Sequence, residues 1–340
     1  MIKNKVLVIG PAWVGDMVMA QSLFKLLKQQ QPERSIDVLA PAFGLPLLLR
    51  MPEVAESLVM PIGHGKLALP ERYRMGKALR EKQYQQAIVL PNSFKSALIP
   101  FWADIPVRTG WSGEMRYGVL NDRRHLDKKR YPLMIEQFMA LGLPPDAALP
   151  AEYPLPELRV SSIQREEALT RFALTKDRPI LAICPGAEFG PAKRWPEAHY
   201  AALSNEKLRQ GFQVWIFGSP RDQTVAEHIM ALTDQRCVNL AGKTSLSDAI
   251  DLLSQAAAVV SNDSGLMHIA AALHKPLVAV YGPTSAAFTP PLDDQAKKVS
   301  LALACQPCFQ RVCPLKHHRC MKDLQPEIVM NALADLSCGS

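Results

Sequence analysis

Apolar and polar positions along this chain follow one repeated rhythm. A short apolar run rich in β-branched residues gives way to a loop, and then to a longer stretch whose apolar positions fall three and four apart. Runs of the first kind predict strands over 6–9, 36–39, 58–60 and 87–90, and again over 180–184, 213–217, 258–261 and 277–280. Stretches of the second kind predict helices over 16–30 and 71–82, then over 198–210, 222–232 and 247–256. Strands alternating with helices indicate an α/β protein with parallel sheets. Between the two series lies LPPDAALPAEYPLP, residues 143–156, with five prolines. Proline lacks an N–H and restricts the residue before it, so neither a helix nor a strand runs through this stretch. The expected division is therefore 1–155 and 156–340, two doubly wound domains facing across a cleft. Ligands of such sheets sit beyond the carboxyl ends of the strands, so the chemistry is expected in the loops that directly follow strands.

Composition narrows the class. The hydrophobic fraction is 48% and the charged fraction 21%, as in ordinary soluble proteins. No apolar run approaches the roughly 18 residues of a membrane span. Lys3 and Lys5 before VLVIG suggest a secretion signal, but Gly10-Pro11 breaks the run, Asp16 ends it and no cleavage site follows. A first strand with its loop fits better, and a cytoplasmic location is expected. The net charge of +7 is concentrated in residues 1–160, where 21 Lys and Arg face 15 Asp and Glu, an excess of six. Such a half suits an anionic partner, whether nucleic acid, phosphorylated substrate or acidic membrane surface, or is simply a solvated basic face. Cys184, Cys237 and Cys338 are scattered and expected to be reduced.

Four segments carry candidate chemistry. The first, GPAWVGDMVM, follows the first strand and opens a helix. Its glycines do not form a dinucleotide fingerprint, and no Gly-Lys-Ser/Thr follows as in a P-loop. What remains is a tight turn ending in Asp16, either a helix-terminal acid or a catalytic carboxylate. The second, CPGAEFGPAKRWP, follows the strand at 180–184. Gly186 lets backbone approach a ligand, and Lys193 could neutralise charge on a phosphate-bearing one. The third, NDSGLMHIAAAL, passes from a buried strand straight into a helix, whose free N–H groups near Ser264 and Gly265 would seat a pyrophosphate. Asp263 suits a hydroxyl or the turn itself, and His268 is either a core histidine or a donor contact. The loop Tyr281-Gly282-Pro283-Thr284 shares that rim. The fourth segment holds Cys305, Cys308, Cys313 and Cys320 with two histidines among them. A structural zinc would use them as soft ligands, and disulfides or free thiols are the alternatives.

Together the runs VLVIGPAWVGDMVMAQSL, AIVLPNSFKSALIPF, RTGWSGEMRYGVLND, CPGAEFGPAKRWP and NDSGLMHIAAAL resemble the ADP-heptose:lipopolysaccharide heptosyltransferases of glycosyltransferase family 9, over residues 6 to about 290. Within that family the resemblance is to members acting on the first heptose of the lipopolysaccharide inner core. It implies a GT-B fold, with an acceptor-binding N-terminal domain and a donor-binding C-terminal one. It implies inverting transfer of L-glycero-D-manno-heptose from ADP-heptose, without metal or other cofactor. On this sequence the family's base falls on Asp16, its donor lysine on Lys193 and its donor turn on Asp263, Ser264 and Gly265; an acidic donor contact corresponds to Asp222. Lys95, Arg108 and Arg116, in loops of the basic half, are the acceptor candidates. Peripheral association with the cytoplasmic face of the inner membrane would suit such an acceptor. The alternatives are a heptosyltransferase acting one sugar earlier or another core GT-B enzyme, a nucleotide-sugar epimerase or dehydrogenase, and a basic nucleic-acid binder. The missing GxGxxG counts against the dehydrogenase, and the absence of RNP, KH and helix-turn-helix patterns counts against nucleic acid.

Overall fold

The computed structural model describes residues 4–63 and 65–337, so Lys3 and Cys338 lie outside the described residues. The chain divides into two compact units, Met1–Glu157 and Leu158–Ser340, and the division falls just past the proline-rich stretch.

Among the described residues the strands form two six-stranded sheets, every pairing parallel. In the first unit these are β1 (Lys5–Ile9), β2 (Ser35–Pro41), β3 (Glu56–Met60), β4 (Gln86–Val89), β5 (Val107–Trp111) and β6 (Asp122–Arg124), in the order β3-β2-β1-β4-β5-β6. In the second they are β7 (Ile180–Cys184), β8 (Gln213–Ile216), β9 (Val238–Asn239), β10 (Ala258–Asn262), β11 (Leu277–Val280) and β12 (Lys297–Val299), in the order β12-β11-β10-β7-β8-β9. Counted from its own first strand, each sheet has the same doubly wound order, 3-2-1-4-5-6. The central strands are buried on both faces, which is why they read as unbroken apolar runs. Leu7, Val8, Leu181, Val260 and Val278 are fully buried, and each contributes about 1.5–3 kcal/mol through apolar burial.

Helices cover the sheets. The helix Val14–Gln30 buries Met17 through Phe24, including Gln21, whose amide pairs in both directions with the backbone of Glu157, at 2.8 Å to its O and 2.9 Å from its N. That double bond ties the end of the first unit to its first helix. The expected 71–82 helix is Leu69–Leu79 followed by a tighter turn, Arg80–Lys82. The expected 222–232 helix begins one residue later, at Gln223, because Asp222 closes a turn with Ser219. Strands β5, β6, β9 and β12 were not anticipated. Except for β5 they are short strands at or next to a sheet edge, and without burial on both faces they lack an apolar signature. Among the described residues no helix is long and apolar enough to cross a membrane.

Candidate functional site

A doubly wound sheet opens a crevice where the strand order reverses. In the first unit that point lies between β1 and β4, and in the second between β7 and β10. The loops following these four strands are 10–13, 90–93, 185–196 and 263–264, so Lys95 and Asp16 stand at or just past the first switch point and Gly186, Lys193, Asp263 and Ser264 at the second.

In the second unit three loops converge on one carboxylate. Asp263, at the end of β10, is 5% exposed. Its Oδ2 accepts from Lys193 Nζ at 2.6 Å and from Thr284 Oγ1 at 2.6 Å, while its backbone oxygen accepts from Lys193 at 3.3 Å. The loops after β7, β10 and β11 are thereby joined by one charge-assisted network. Lys193 also lies 5.0 Å from the ring centroid of Phe189, which leaves the ammonium in a partly desolvated setting. Asn262 stitches the same loops from beneath. Its Oδ1 accepts from Trp195 N at 3.2 Å and Tyr200 OH at 3.0 Å, and its Nδ2 donates to Pro185 O at 2.7 Å. Ser264 occupies the N-cap position of the helix Gly265–Ala272 in an extended conformation, its side chain making no capping hydrogen bond. The first N–H groups of that helix have no partner within it and present the positive end of its dipole to the crevice.

Two further candidates in this unit are packed beneath the rim. His268 is buried, its Nδ1 has no hydrogen-bond partner, and burial pulls its pKa down to about 4 against the opposing pull of Asp263. The ring is therefore neutral at pH 7 and can offer or take one hydrogen bond without carrying charge. Asp222 differs from the expectation of a donor contact. Both of its oxygens face protein: Oδ2 accepts from Ser219 N at 2.9 Å and Ser219 Oγ at 2.7 Å, and Oδ1 lies 3.6 Å from Arg194 Nη2. It props the loop at Gly186, where an added Cβ would stand 2.5 Å from Asp222 Oδ2. Gly186 thus supplies close packing against this carboxylate. Cys184 is no nucleophile, since burial pushes its thiol up to about 12.

In the first unit the turn after β1 is tight for a stated reason. A Cβ on Gly10 would stand 2.8 Å from Met17 Cε and 3.4 Å from Leu39 O, and Gly10 N donates to Leu39 O at 2.9 Å. The helix then begins at Val14, which puts half-buried Asp16 in its first turn. A carboxylate there meets the positive end of the helix dipole, and it stands where it could accept a proton from a hydrogen-bonded hydroxyl. Lys95 sits at the start of the helix Phe94–Trp102 after β4, at the same switch point.

The two arginines expected to meet the acceptor spend much of their hydrogen bonding on the protein itself, Arg108 half-buried and Arg116 buried. Arg108 lies near the beginning of β5, level with Ala87, and donates to Val119 O at 2.7 Å and Ile105 O at 2.6 Å. Arg116 is fully buried. It donates to Pro91 O at 2.8 Å, to Asn92 Oδ1 at 3.2 Å and to Trp111 O, clamping the loops after β4 and β5 together. Charge in a loop sequence does not reveal burial, and here the guanidiniums satisfy backbone carbonyls.

The cysteine segment packs against the loops after β7 and β11, through Ala192 N to Arg311 O and Gln306 Nε2 to Gly282 O. Cys305, Cys308, Cys313 and Cys320 are free thiols, which sets aside the disulfide alternative for them. Backbone N–H groups, that of His318 foremost, hold the Cys313 thiol below its usual range. Sequence reasoning missed Thr284, Asn262, Tyr200 and Phe189. Phe189, Asn262 and Thr284 lie in segments the sequence marked but were given no role there, and Tyr200 lies in a predicted helix with no signal of its own.

Comparison with known proteins bears on both units. Residues 72–319 match the glycosyltransferase family 9 (heptosyltransferase) family. The chain is 50% identical to lipopolysaccharide heptosyltransferase 2 of Salmonella typhimurium, with 98% of each chain covered. It is 49% identical to the Escherichia coli protein of the same name, with 97% of each covered. The solved structure of E. coli ADP-heptose lps heptosyltransferase II superposes with a TM-score of 0.88 at 46% identity, covering 98% of both chains.

Proposed function

The chain belongs to glycosyltransferase family 9, the heptosyltransferases, and from that premise we propose that it moves L-glycero-D-manno-heptose from ADP-heptose onto the first heptose of the lipopolysaccharide inner core. The relatives' names supply the donor and acceptor. The observation that carries the donor half is the junction of Lys193, Asp263 and Thr284 at the mouth of a helix N-terminus. A diphosphate is the ligand such a mouth suits, because N–H groups and an ammonium meet its charge.

In the proposed reaction Asp16 accepts the proton of the acceptor hydroxyl as its oxygen attacks the anomeric carbon from the face opposite ADP. The C–O bond to the diphosphate breaks through an oxocarbenium-like state, as in glycosyl transfer to water. ADP leaves with the bonding electron pair. Lys193 and the N–H groups of the helix at Gly265 stabilise the charge that gathers there, a role assigned to them rather than to a metal ion. Neutral His268 beneath the turn adds no competing charge there. The basic excess of residues 1–160 and Lys95 suit an acceptor bearing carboxylates and phosphates, and the reaction is placed in the cytoplasm at the inner face of the membrane.

The test is ADP release from ADP-heptose with acceptors truncated to one heptose and to none. Release that depends on the one-heptose acceptor supports the proposal. Release only with the heptose-free core would move the activity one sugar earlier, and silence with both would remove the heptosyl assignment.

A further inference from the structure

Among the described residues no group of cysteine, histidine or carboxylate side chains stands where it could hold a metal ion. What the segment Cys305–Cys320 brings to the loops it packs against is positive charge. Between Asp294 and Asp323 the chain has no acidic residue, against six Lys and Arg. One of these, Arg311, is held against the loop of Lys193 by its own backbone. Its carbonyl oxygen accepts from Ala192 N at 3.1 Å. A Cβ on Gly190 would stand 2.5 Å from that oxygen and 3.0 Å from Arg311 Cα, so glycine is what lets the two stretches of chain come this close. Gln306 Nε2 donates to Gly282 O at 2.8 Å and Phe309 N to Pro283 O at 2.7 Å, which fasten the same segment to the loop after β11.

The exposed guanidinium of Arg311 lies 5.4 Å from the centroid of the Phe189 ring, and Lys193 Nζ lies 5.0 Å from the same centroid. The two cations therefore stand within about 10 Å of each other, no farther than the screening length of roughly 0.1 M salt. Three other cations on the loops after β7 and β8 already have carboxylates. Lys193 meets Asp263 at 2.6 Å, Arg194 approaches Asp222 at 3.6 Å, and Arg221 pairs with Glu188. Among the described residues Arg311 has no such partner, and its neighbours in sequence supply none. The Lys193–Asp263 pair is neutral as a unit, and the helix opening at Gly265 adds only about half a positive charge. The diphosphate of a nucleoside-diphosphate sugar is doubly negative, so that mouth alone leaves most of its charge unmet.

On the donor reading of the Lys193–Asp263–Thr284 junction, on which this rests, we propose that Arg311 is a second cation of the donor site, its guanidinium pairing with the diphosphate beside Lys193. A guanidinium presents two parallel N–H donors, so it holds two phosphate oxygens at once and fixes their orientation, where an ammonium acts as a point charge. Phe189 is the positioning residue, a π surface that both cations approach. The charge that gathers on the departing diphosphate is then met from two sides of the same ring system's loop, by Lys193 and by Arg311.

The experiment measures the Kd for ADP and for AMP at low and high salt in the full-length wild type, Arg311→Gln and Arg311→Lys, with melting temperatures alongside. Arg311→Gln is expected to weaken ADP about 10- to 100-fold, the worth of one charge-assisted hydrogen bond. It should weaken AMP less and flatten the salt dependence of ADP binding, with the melting temperature unchanged. Arg311→Lys is expected to restore part of the affinity, since it keeps the charge and loses the fork. Equal weakening of ADP and AMP with the wild-type salt dependence would reduce Arg311 to a brace for the Phe189 ring and overturn the proposal. Arg311→Gln that binds ADP as the wild type does would overturn it too, and would leave the donor reading standing. A wild type that binds neither nucleotide would overturn the donor reading and this assignment with it.

Discussion

His268 sits one turn into the helix Gly265–Ala272, buried, with a pKa drawn from 6.5 to about 4. In the unfolded chain the ring takes a proton below about pH 6.5, but in the folded chain only near pH 4. Between those values the unfolded state binds more protons, so stability falls as pH drops through the window and is undiminished above it. Across the whole window the loss is about 3 kcal/mol. Urea unfolding of the wild type and His268→Gln at about pH 7 and about pH 4.5 should show a smaller pH-dependent loss in the variant. Equal losses would contradict the neutral, buried ring. A second residue-scale prediction concerns Lys193 and Asp263, whose side chains are 13% and 5% exposed. Lys193→Ala leaves a buried carboxylate without its cation, a change that costs about 3–5 kcal/mol. Adding Asp263→Ala should recover most of the thermal stability but not the affinity for ADP. Recovery of both would remove Lys193 from the donor site. Asp16, Lys193 and Asp263 could be singled out in the sequence because each stands in or just after a loop directly following a strand, and the structure keeps each past the end of its strand. Asn262 and Thr284 were not, because their partners lie far along the chain: Asn262 meets Pro185 and Trp195, and Thr284 meets Asp263. Arg116 shows the converse limit, since a charge shows in the sequence and its full burial does not.

Among the elements, the long apolar runs were the readable part of the fold. β1, β4, β7, β10 and β11 are central strands whose burial on both faces leaves little choice of residue. β6 is DRR and β12 is KKV, edge strands held by backbone pairing to a neighbour rather than by their side chains. Helix ends were shifted by one or two residues where side chains closed a turn, as at Ser219 and Asp222. The crossing of Leu69–Leu79 with Phe94–Trp102 shows how an element's packing overrides its propensity. A Cβ on Gly76 would stand 2.7 Å from Trp102 Cβ and 2.9 Å from Ile99 O. In an exposed helix, replacing Gly with Ala gains about 1 kcal/mol. Here the helices would have to move apart, and overpacking of this kind costs about 1–3 kcal/mol. Gly76→Ala should therefore lower the denaturant midpoint, and a raised midpoint would show that the crossing is looser than described.

At the scale of the whole molecule, two units share one strand order, and the proposed reaction asks different chemistry of their switch points. The alternation of apolar runs predicted both sheets, and the proline stretch marked where one series ends. Nothing in that alternation distinguishes one unit's role from the other's; the loop residues do. In the proposed reaction the first unit would contribute Asp16 and the basic excess, and the second Lys193, Asp263, Thr284 and the helix mouth at Gly265. The account's central claim is this division of labour, and it implies that turnover and donor affinity can be separated by one substitution in the first unit. The direct measurement is turnover with a one-heptose acceptor and the Kd for ADP, side by side, in the wild type and Asp16→Asn. Loss of a general base is expected to lower kcat by about 10²–10⁴-fold while the Kd for ADP and the melting temperature stay within error of the wild type. A variant that keeps near-normal turnover, or that loses ADP binding together with turnover, would contradict it.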